Sequence, residues 1–181
     1  MKPAEQPADN QTCSLYPTLC AQMKALLEGE SDWVVNLANA AALLYGALPQ
    51  VSWAGFYRMK NGELLLGPFQ GKPACVHIAV GRGVCGAAVA QNAVQIVPDV
   101  HRFPGHIACD AASASELVIP LRARGRIVGV LDLDSHVPGR FSEKDAQALV
   151  PVAELIAASC SWDGGAKAGR SGKSLERTPA I

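Results

Sequence analysis

The 181-residue chain has no excess of charge of either sign, because 16 acidic residues balance 16 basic residues. Proteins that bind nucleic acids or anionic membranes usually present a basic stripe, and nothing in this composition suggests one. The sequence also has no apolar run close to the roughly 20 residues that span a bilayer, and no apolar signal segment at its start. We therefore expect a cytoplasmic protein that binds neither nucleic acid nor membranes.

The chain has no Cys-x-x-Cys pair, although it contains six cysteines. The missing pair argues against a zinc site completed by two loop histidines. A metal site remains a minor alternative, built from Cys75, His77, Cys85, His101, His106 and Cys109. In a reducing compartment we do not expect three structural disulfides. Cys75, Cys85 and Cys109 lie in turn-forming stretches rich in glycine or proline, which suggests a nucleophile and a resolving partner.

The hydrophobic content of 49% suits one globular domain. We predict a flexible segment at residues 1–14, a folded domain at 15–162 and a disordered tail at 163–181, which is rich in Gly, Ser, Lys and Arg. Pro17 is expected to open the first helix, and Ser31 to cap the second.

Period-two patterns and turn residues predict strands at 51–59, 63–69, 76–80, 94–97, 116–121 and 126–134. Asn61-Gly62 is expected to form a type I′ turn between the first two of them. A short helix is expected at 84–91. A last helix should start after Ser142, with Asp145 completing an arrangement close to a capping box. Helices lead, hairpins follow and a helix closes the chain. This order predicts an α+β fold with a mostly antiparallel sheet.

Three carboxylates could share one pocket. Side chains alternate along a strand, so Asp132 and Asp134 should project from the same face, and Glu116 lies in the partner strand of the hairpin. Such a cluster would raise some of the pKa values, leaving one or more acids protonated at neutral pH. Two solvated aspartates at a strand end are the competing interpretation. Trp53 and Tyr57 also share a face, for which core packing is the competing interpretation.

Gly81, Gly83 and Gly86 spell the G-x-G-x-x-G pattern of dinucleotide-binding proteins. The unit at 76–97 is shorter than the roughly 30 residues of a dinucleotide-binding βαβ motif, so we reject that function. We expect these glycines to form a tight strand-to-helix turn. Cys85 would lie at the start of that helix, where the helix dipole favours a thiolate.

Several segments together carry a family resemblance: Trp53-Ala54-Gly55-Phe56-Tyr57, Pro73-Ala74-Cys75, Gly81-Arg82-Gly83-Val84-Cys85-Gly86, Phe103-Pro104-Gly105-His106-Ile107-Ala108-Cys109-Asp110 and Leu131-Asp132-Leu133-Asp134-Ser135. Over roughly residues 15 to 160 the chain resembles the free methionine-(R)-sulfoxide reductases, which have the GAF fold. The resemblance implies a central antiparallel sheet of about six strands, with helices from both termini packed on one face. GAF domains often pair through their helices, which leaves a homodimer open.

The resemblance also implies an activity, the reduction of free L-methionine-(R)-sulfoxide to methionine. Thioredoxin would be the external reductant, and no cofactor would be bound. By resemblance Cys109 matches the attacking thiol and Cys75 the resolving thiol, giving a Cys75–Cys109 disulfide. Cys85 is either a second resolving thiol or a packed residue. A small-molecule-binding GAF sensor without catalysis is the alternative function.

The resemblance places three carboxylates and one aromatic residue at the substrate. We assign Glu116 and Asp134 to the sulfoxide oxygen, and Asp132 to a shared role or to the ammonium group. Trp53 is expected to cover the methyl end of the substrate, with Tyr57 as a weaker candidate. The free N–H groups of the helix after Gly83 could bind the substrate carboxylate, but a purely structural turn explains those glycines equally well.

Overall fold

The computed structural model describes residues 8–105 and 110–162, with side chains from Leu15 onward. Residues 1–7, residues 106–109 and the predicted tail at 163–181 lie outside the described residues, and so does the candidate nucleophile Cys109. Within the described ranges, no helix has the length and apolar character needed to cross a membrane.

The described part of the chain has six strands, which form a single sheet in the order β3-β2-β1-β6-β5-β4, and each pair of neighbours is antiparallel. The strands are β1 Trp53–Lys60, β2 Glu63–Gln70, β3 His77–Ala79, β4 Gln95–Val97, β5 Ser115–Ala123 and β6 Arg126–Ser135. The predicted hairpin turn between β1 and β2 is confirmed, because Asn61 and Gly62 have φ values of 52° and 85°, as a type I′ turn requires.

Of the four α-helices in the described ranges, three cover one face of the sheet. The helices are α1 Ala8–Leu26, α2 Trp33–Ala47, α3 Gly83–Gln91 and α4 Glu143–Ser159, with a short 3₁₀ helix at Val100–Arg102. Side chains of α1, α2 and α4 form the larger core with Phe56, Leu117, Ile119, Leu131 and Leu133 of the strands. This arrangement confirms the predicted α+β architecture, with the terminal helices on one face.

The opposite face of the sheet carries a smaller core under α3. Here Tyr57, Val118 and Val130 of the central strands pack with Val84 and Ala88 of the helix. Side chains alternate between the two faces along a strand. In β5 and β6, every second residue is apolar and faces α1, α2 and α4. The residues between them therefore face α3. The candidate carboxylates occupy those intervening positions.

Two predicted helix starts are wrong. Helix α1 begins at Ala8 and contains Pro17 in its interior, since a proline removes one backbone hydrogen bond without always ending a helix. Helix α2 is capped by Asp32, whose Oδ1 accepts hydrogen bonds from the N–H groups of Val34 at 2.8 Å and Val35 at 3.2 Å. The adjacent Ser31 has the right residue type, but Asp32 occupies the position from which a side chain reaches those N–H groups.

The last helix starts as predicted. The hydroxyl of Ser142 accepts from the Asp145 N–H, and the Asp145 carboxylate accepts from the Ser142 N–H at 2.8 Å. These reciprocal bonds form a capping box at the start of α4.

The glycine-rich segment forms a tight turn between β3 and α3, as predicted. Gly81 and Gly83 have φ values of 84° and 60°, which glycine adopts without strain. A Cβ at Gly86 would lie 2.4 Å from the carbonyl oxygen of Ala79. Strands β3 and β4 lie at opposite edges of an antiparallel sheet, so this unit lacks the parallel βαβ geometry of a dinucleotide site.

The cap of α2 can be tested by a pair of adjacent variants. Asp32→Ala should lower the free energy of unfolding by about 1 kcal/mol, because two helix N–H groups lose their acceptor. Ser31→Ala is the control and should have a much smaller effect. Denaturant titration followed by circular dichroism measures both, and an equal loss in Ser31→Ala would contradict the assignment.

Candidate functional site

A pocket opens on the α3 face of the sheet, above the neighbouring strands β1, β6 and β5. Its walls come from these strands, from β3, from the start of α3 and from two loops. The lining residues are Ser52, Trp53, Tyr57, Lys72, Pro73, Ala74, Ile78, Arg82, Gly83, Val84, Cys85, Asp110, Ser113, Glu116, Asp132 and Asp134. Seven of the eight predicted site residues fall within the described part of the chain, and six of them line this pocket.

Trp53 and Tyr57 form an aromatic wall. Their ring centroids are 6.0 Å apart, and Trp53 stacks on Phe69 at 5.3 Å. The indole Nε1 of Trp53 donates a hydrogen bond of 3.0 Å to the carbonyl oxygen of Lys72. These contacts fix the orientation of the indole at the pocket surface.

Two glycines make room for the Trp53 ring. A Cβ at Gly55 would lie 2.5 Å from the indole Cη2, and a Cβ at Gly71 would lie 2.6 Å from its Cδ1. Real side chains do not approach so closely, so the indole occupies space that any larger residue at either position would take.

The sheet register brings the three carboxylates together. Asp134 lies opposite Trp53 in the β1–β6 pair and opposite Glu116 in the β5–β6 pair. Asp132 lies two positions before Asp134 on the same face. Glu116 and Asp132 are each only 6% exposed, and Asp134 is half-buried. The interpretation of Asp132 and Asp134 as two solvated aspartates at a strand end is therefore wrong.

Burial and mutual repulsion favour protonated forms of these acids. Burial raises the pKa of Glu116 well above its ordinary value, and the charges of Asp132 and Asp134 raise it further. Burial raises the pKa of Asp132 to about 7. The pKa of Asp134 is also raised well above its ordinary value by burial and then by the charges of Asp132 and Asp110. The expectation that some of these acids stay protonated near neutral pH is therefore supported.

One carboxylate oxygen in the pocket lining has no hydrogen-bond partner among the described residues. The Oδ1 atom of Asp132 is buried and accepts no hydrogen bond from the described residues. A buried acceptor without a donor is costly in a folded protein, and such an atom facing a pocket is suited to a ligand that brings its own donor.

Cys85 packs against the carboxylates from the first turn of α3. Its thiol is free and buried, and its Sγ lies 3.9 Å from Oε1 of Glu116 as a hydrogen-bond donor. Burial raises the pKa of Cys85 well above its ordinary value, and the charges of Asp132, Glu116 and Asp134 add to the rise. This direction is opposite to the one expected from the helix dipole, because desolvation next to three acids outweighs the partial charge of a short helix.

Of the two other cysteines predicted for the site, Cys75 and Cys109, the structure describes only Cys75. Cys75 is half-buried and disulfide-bonded, and it follows Pro73 and Ala74 of the pocket wall. Cys109 lies outside the described residues. Cys20, Cys85 and Cys160 are free thiols. The pairing of Cys75 with Cys109 therefore stays a prediction.

Sequence reasoning missed a polar group at the pocket rim. The Oδ2 atom of Asp110 lies 3.0 Å from Lys72 Nζ and 3.2 Å from His136 Nε2, and its Oδ1 accepts from the Ala112 N–H at 3.0 Å. The Ala112 hydrogen bond, followed by those to Lys72 and His136, lowers the pKa of Asp110 to about 2. Asp110 follows Cys109 in the sequence, but no spacing rule connects it to Lys72 or His136.

Within the described ranges, one cluster has the geometry to hold a metal ion. It consists of Cys85, Glu116 and Asp132, whose ligand atoms lie within 4.8 Å of one another. This set differs from the six-residue metal site considered as an alternative above. His77 of that alternative instead pairs with Glu63, with 2.9 Å between Nδ1 and Oε1.

Replacing Asp132 tests the electrostatics of the pocket. Its pKa is raised from 3.8 to about 7, so the folded state holds this proton more tightly than the unfolded chain does. The associated stability is present below about pH 4 and is lost as the pH rises through 7. Asp132→Asn should therefore match the wild type only below about pH 4, become the more stable protein as the pH rises, and exceed the wild type at pH 8 by about 1–3 kcal/mol.

Thermal unfolding of both proteins across this pH range measures the difference. Asp99→Asn is the control, since Asp99 accepts from the His101 N–H in an exposed turn. Equal stability of Asp132→Asn and wild type at pH 8 would contradict the raised pKa.

Comparison with known proteins identifies the family. A family model of the GAF domain matches residues 28–159. The free methionine-R-sulfoxide reductase of Escherichia coli K12 is 57% identical over 134 residues, which cover 74% of this chain and 81% of that protein. Protein YtsP of Bacillus subtilis is 57% identical over 143 residues, covering 78% and 88% of the two chains.

Solved structures agree with this assignment. The free methionine-R-sulfoxide reductase of Neisseria meningitidis, determined in complex with its substrate, is 42% identical with a TM-score of 0.80 and covers 88% of this chain and 95% of that chain. The substrate complex of fRMsr of Staphylococcus aureus is 46% identical with a TM-score of 0.77, covering 80% and 94%. The chain, with its antiparallel sheet and its acid-lined pocket, therefore belongs to the free methionine-R-sulfoxide reductases of the GAF domain family.

Proposed function

We propose that this protein reduces free L-methionine-(R)-sulfoxide to L-methionine by thiol chemistry. The observation that carries the proposal is the cluster of Glu116, Asp132 and Asp134, three acids with raised pKa values at the floor of a pocket with an aromatic wall. A disulfide-bonded cysteine, Cys75, adjoins that pocket. Related proteins named for this activity support the same substrate.

The chemistry needs a nucleophile for sulfur and protons for oxygen. The Cys109 thiolate attacks the sulfoxide sulfur and forms an Sγ–S bond, while a pocket acid supplies a proton to the oxygen. The oxygen then moves to Sγ as the S–O and Sγ–S bonds to the substrate sulfur break, so Cys109 becomes a sulfenic acid and methionine leaves. The Cys75 thiol then displaces that oxygen as water and forms the Cys75–Cys109 disulfide. A dithiol protein, thioredoxin, reduces the disulfide and is itself oxidised. The sum is sulfoxide plus dithiol giving sulfide, water and disulfide.

The acids act on the sulfoxide oxygen. A protonated carboxyl group can donate to the oxygen as the S–O bond polarises, and this donation stabilises the developing charge. Glu116 and Asp134 lie opposite each other in the sheet, so both can reach one oxygen atom. Their raised pKa values keep protons available at neutral pH.

The two ends of the amino acid have separate partners in this proposal. The unpartnered Oδ1 of Asp132 accepts from the substrate ammonium group. The first turn of α3 lines the pocket and has no side-chain cap at Arg82, so its N–H groups and the Arg82 charge suit the carboxylate. Trp53 covers the methyl end, with Tyr57 beside it. Holding both charged ends explains physically why a peptide-bound residue would not fit.

Cys85 supports the acids in this mechanism instead of attacking. Its buried thiol donates toward Glu116, and its raised pKa leaves little thiolate for disulfide exchange. A neutral thiol at this position helps orient Glu116 without adding charge to the pocket.

A turnover assay tests the function directly. Free (R)-sulfoxide should yield many methionines per chain with thioredoxin and its reductase, and about one without them. Free (S)-sulfoxide and peptide-bound sulfoxide should yield almost none. Cys109→Ser should abolish methionine formation even in a single turnover. Tight binding of the sulfoxide without any turnover would instead indicate the sensor function.

The position of the Trp53 indole in the pocket wall can be tested without changing Trp53 itself. Gly55→Ala places a methyl group 2.5 Å from the indole and 2.4 Å from Cβ of Phe69, on which the indole stacks. It should lower kcat/KM at least about tenfold by displacing this wall of the pocket. Gly46→Ala is the matched control, because a Cβ there meets no atom within 4 Å. Steady-state kinetics measures the effect, with circular dichroism to verify folding. Wild-type kinetics in folded Gly55→Ala would rule out this role of the indole.

A further inference from the structure

Three segments at the pocket rim meet at the carboxylate of Asp110. The first segment holds Lys72, three residues before Cys75, and the second is Asp110 itself, directly after Cys109. The third holds His136, which follows the strand of Asp132 and Asp134. Asp110 Oδ2 lies 3.0 Å from Lys72 Nζ and 3.2 Å from His136 Nε2. One side chain thus connects the sequence neighbours of both cysteines of the proposed reaction.

Lys72 also connects this ion-pair cluster to the aromatic wall of the pocket. The carbonyl oxygen of Lys72 accepts the indole N–H of Trp53 at 3.0 Å. On the other side, Asp110 orders its own turn, since Oδ1 accepts from the Ala112 N–H at 3.0 Å and the Asp110 carbonyl accepts from the Ser113 N–H at 3.1 Å. Asp110 is therefore fixed relative to its own segment, and Lys72 relative to the aromatic wall.

Stability alone does not account for this network. The side chains of Lys72 and His136 are 63% and 47% exposed, and that of Asp110 is 23% exposed. Ion pairs with such exposure contribute little to the free energy of unfolding. Their geometric effect is larger, because disulfide formation requires the two Cα atoms to lie within roughly 7 Å with suitably directed side chains.

We propose that Asp110 is a positioning residue, which holds the segment of Lys72 against the segment after Cys109 so that Cys75 resolves the sulfenic acid efficiently. The inference rests on the proposed function. It assigns Asp110 to the second chemical step, in which the Cys75 thiol displaces water from the sulfenic acid and the disulfide forms. Asp110 exchanges no proton or electron in that step.

Rapid quenching separates the two steps. Reduced enzyme is mixed with one equivalent of free (R)-sulfoxide and sampled for methionine, for sulfenic acid trapped by a 1,3-diketone, and for disulfide by mass spectrometry. In Asp110→Asn, disulfide formation should slow about three- to tenfold relative to methionine release, so trapped sulfenic acid should increase. Lys72→Met should reproduce this effect, and Lys72→Arg should restore the wild-type ratio of the two rates.

Salt provides a readout that a merely structural role would not change. Added sodium chloride screens exposed ion pairs, so it should slow disulfide formation in the wild type and have a much smaller effect in Asp110→Asn. Asp99→Asn, which removes an exposed carboxylate that accepts from the His101 N–H, is the matched control and should keep the wild-type ratio and salt response.

The experiment distinguishes a failure of the proposed function from a failure of the role assigned to Asp110. If the wild type releases no methionine, the proposed function is wrong, and this inference is overturned with it. If the wild type releases methionine and Asp110→Asn forms the disulfide at the wild-type rate, the inference alone is overturned. An equal slowing of both steps, or a wild-type salt response in Asp110→Asn, also overturns it.

Discussion

The structure depends on one constraint: β5 and β6 must bury aliphatic side chains on one face and acids on the other. Leu117, Leu131 and Leu133 pack under the terminal helices, and their burial drives folding. The alternation of a strand then forces Glu116 and Asp132 to the opposite face. A shift of one residue in register would exchange acids for leucines in the main core, so the hydrophobic pattern fixes the position of the acids.

The burial of these acids has a cost that the fold tolerates for function. Desolvation dominates the pKa shifts of Glu116 and Asp132, and charged forms in such surroundings are unfavourable. The cost favours the protonated forms of the acids, which is what a sulfoxide oxygen requires from a donor in the proposed reaction. Burial next to the same acids also raises the pKa of Cys85. Cys85 is therefore a poor nucleophile, because it forms little thiolate. Electrostatics thus separates the acids from the thiols that perform exchange in the proposed mechanism.

Local patterns predicted much of this molecule. The hairpin turn at Asn61 and Gly62 and the capping box of Ser142 and Asp145 each depend on residues close together in the chain, and both were predicted. The start of α1 and the cap of α2 were not, because Pro17 and Ser31 also suit those positions by residue type. Contacts between distant segments decided the rest. No local sequence pattern predicts that Asp110 pairs with Lys72, or that the Trp53 ring packs against Gly55 and Gly71.

The sequence alone determined the alternation that places Asp132 and Asp134 on one face, the order of helices and strands, and the motifs that carry the family resemblance. These features follow from side-chain periodicity and turn chemistry, which act over a few residues. Only the tertiary structure decided that Glu116 lies opposite Asp134, that Asp132 Oδ1 lacks a hydrogen-bond partner in the described part of the chain, and that Cys85 is a buried neutral thiol. Those properties depend on strand register and desolvation, which exist only once distant segments have packed together.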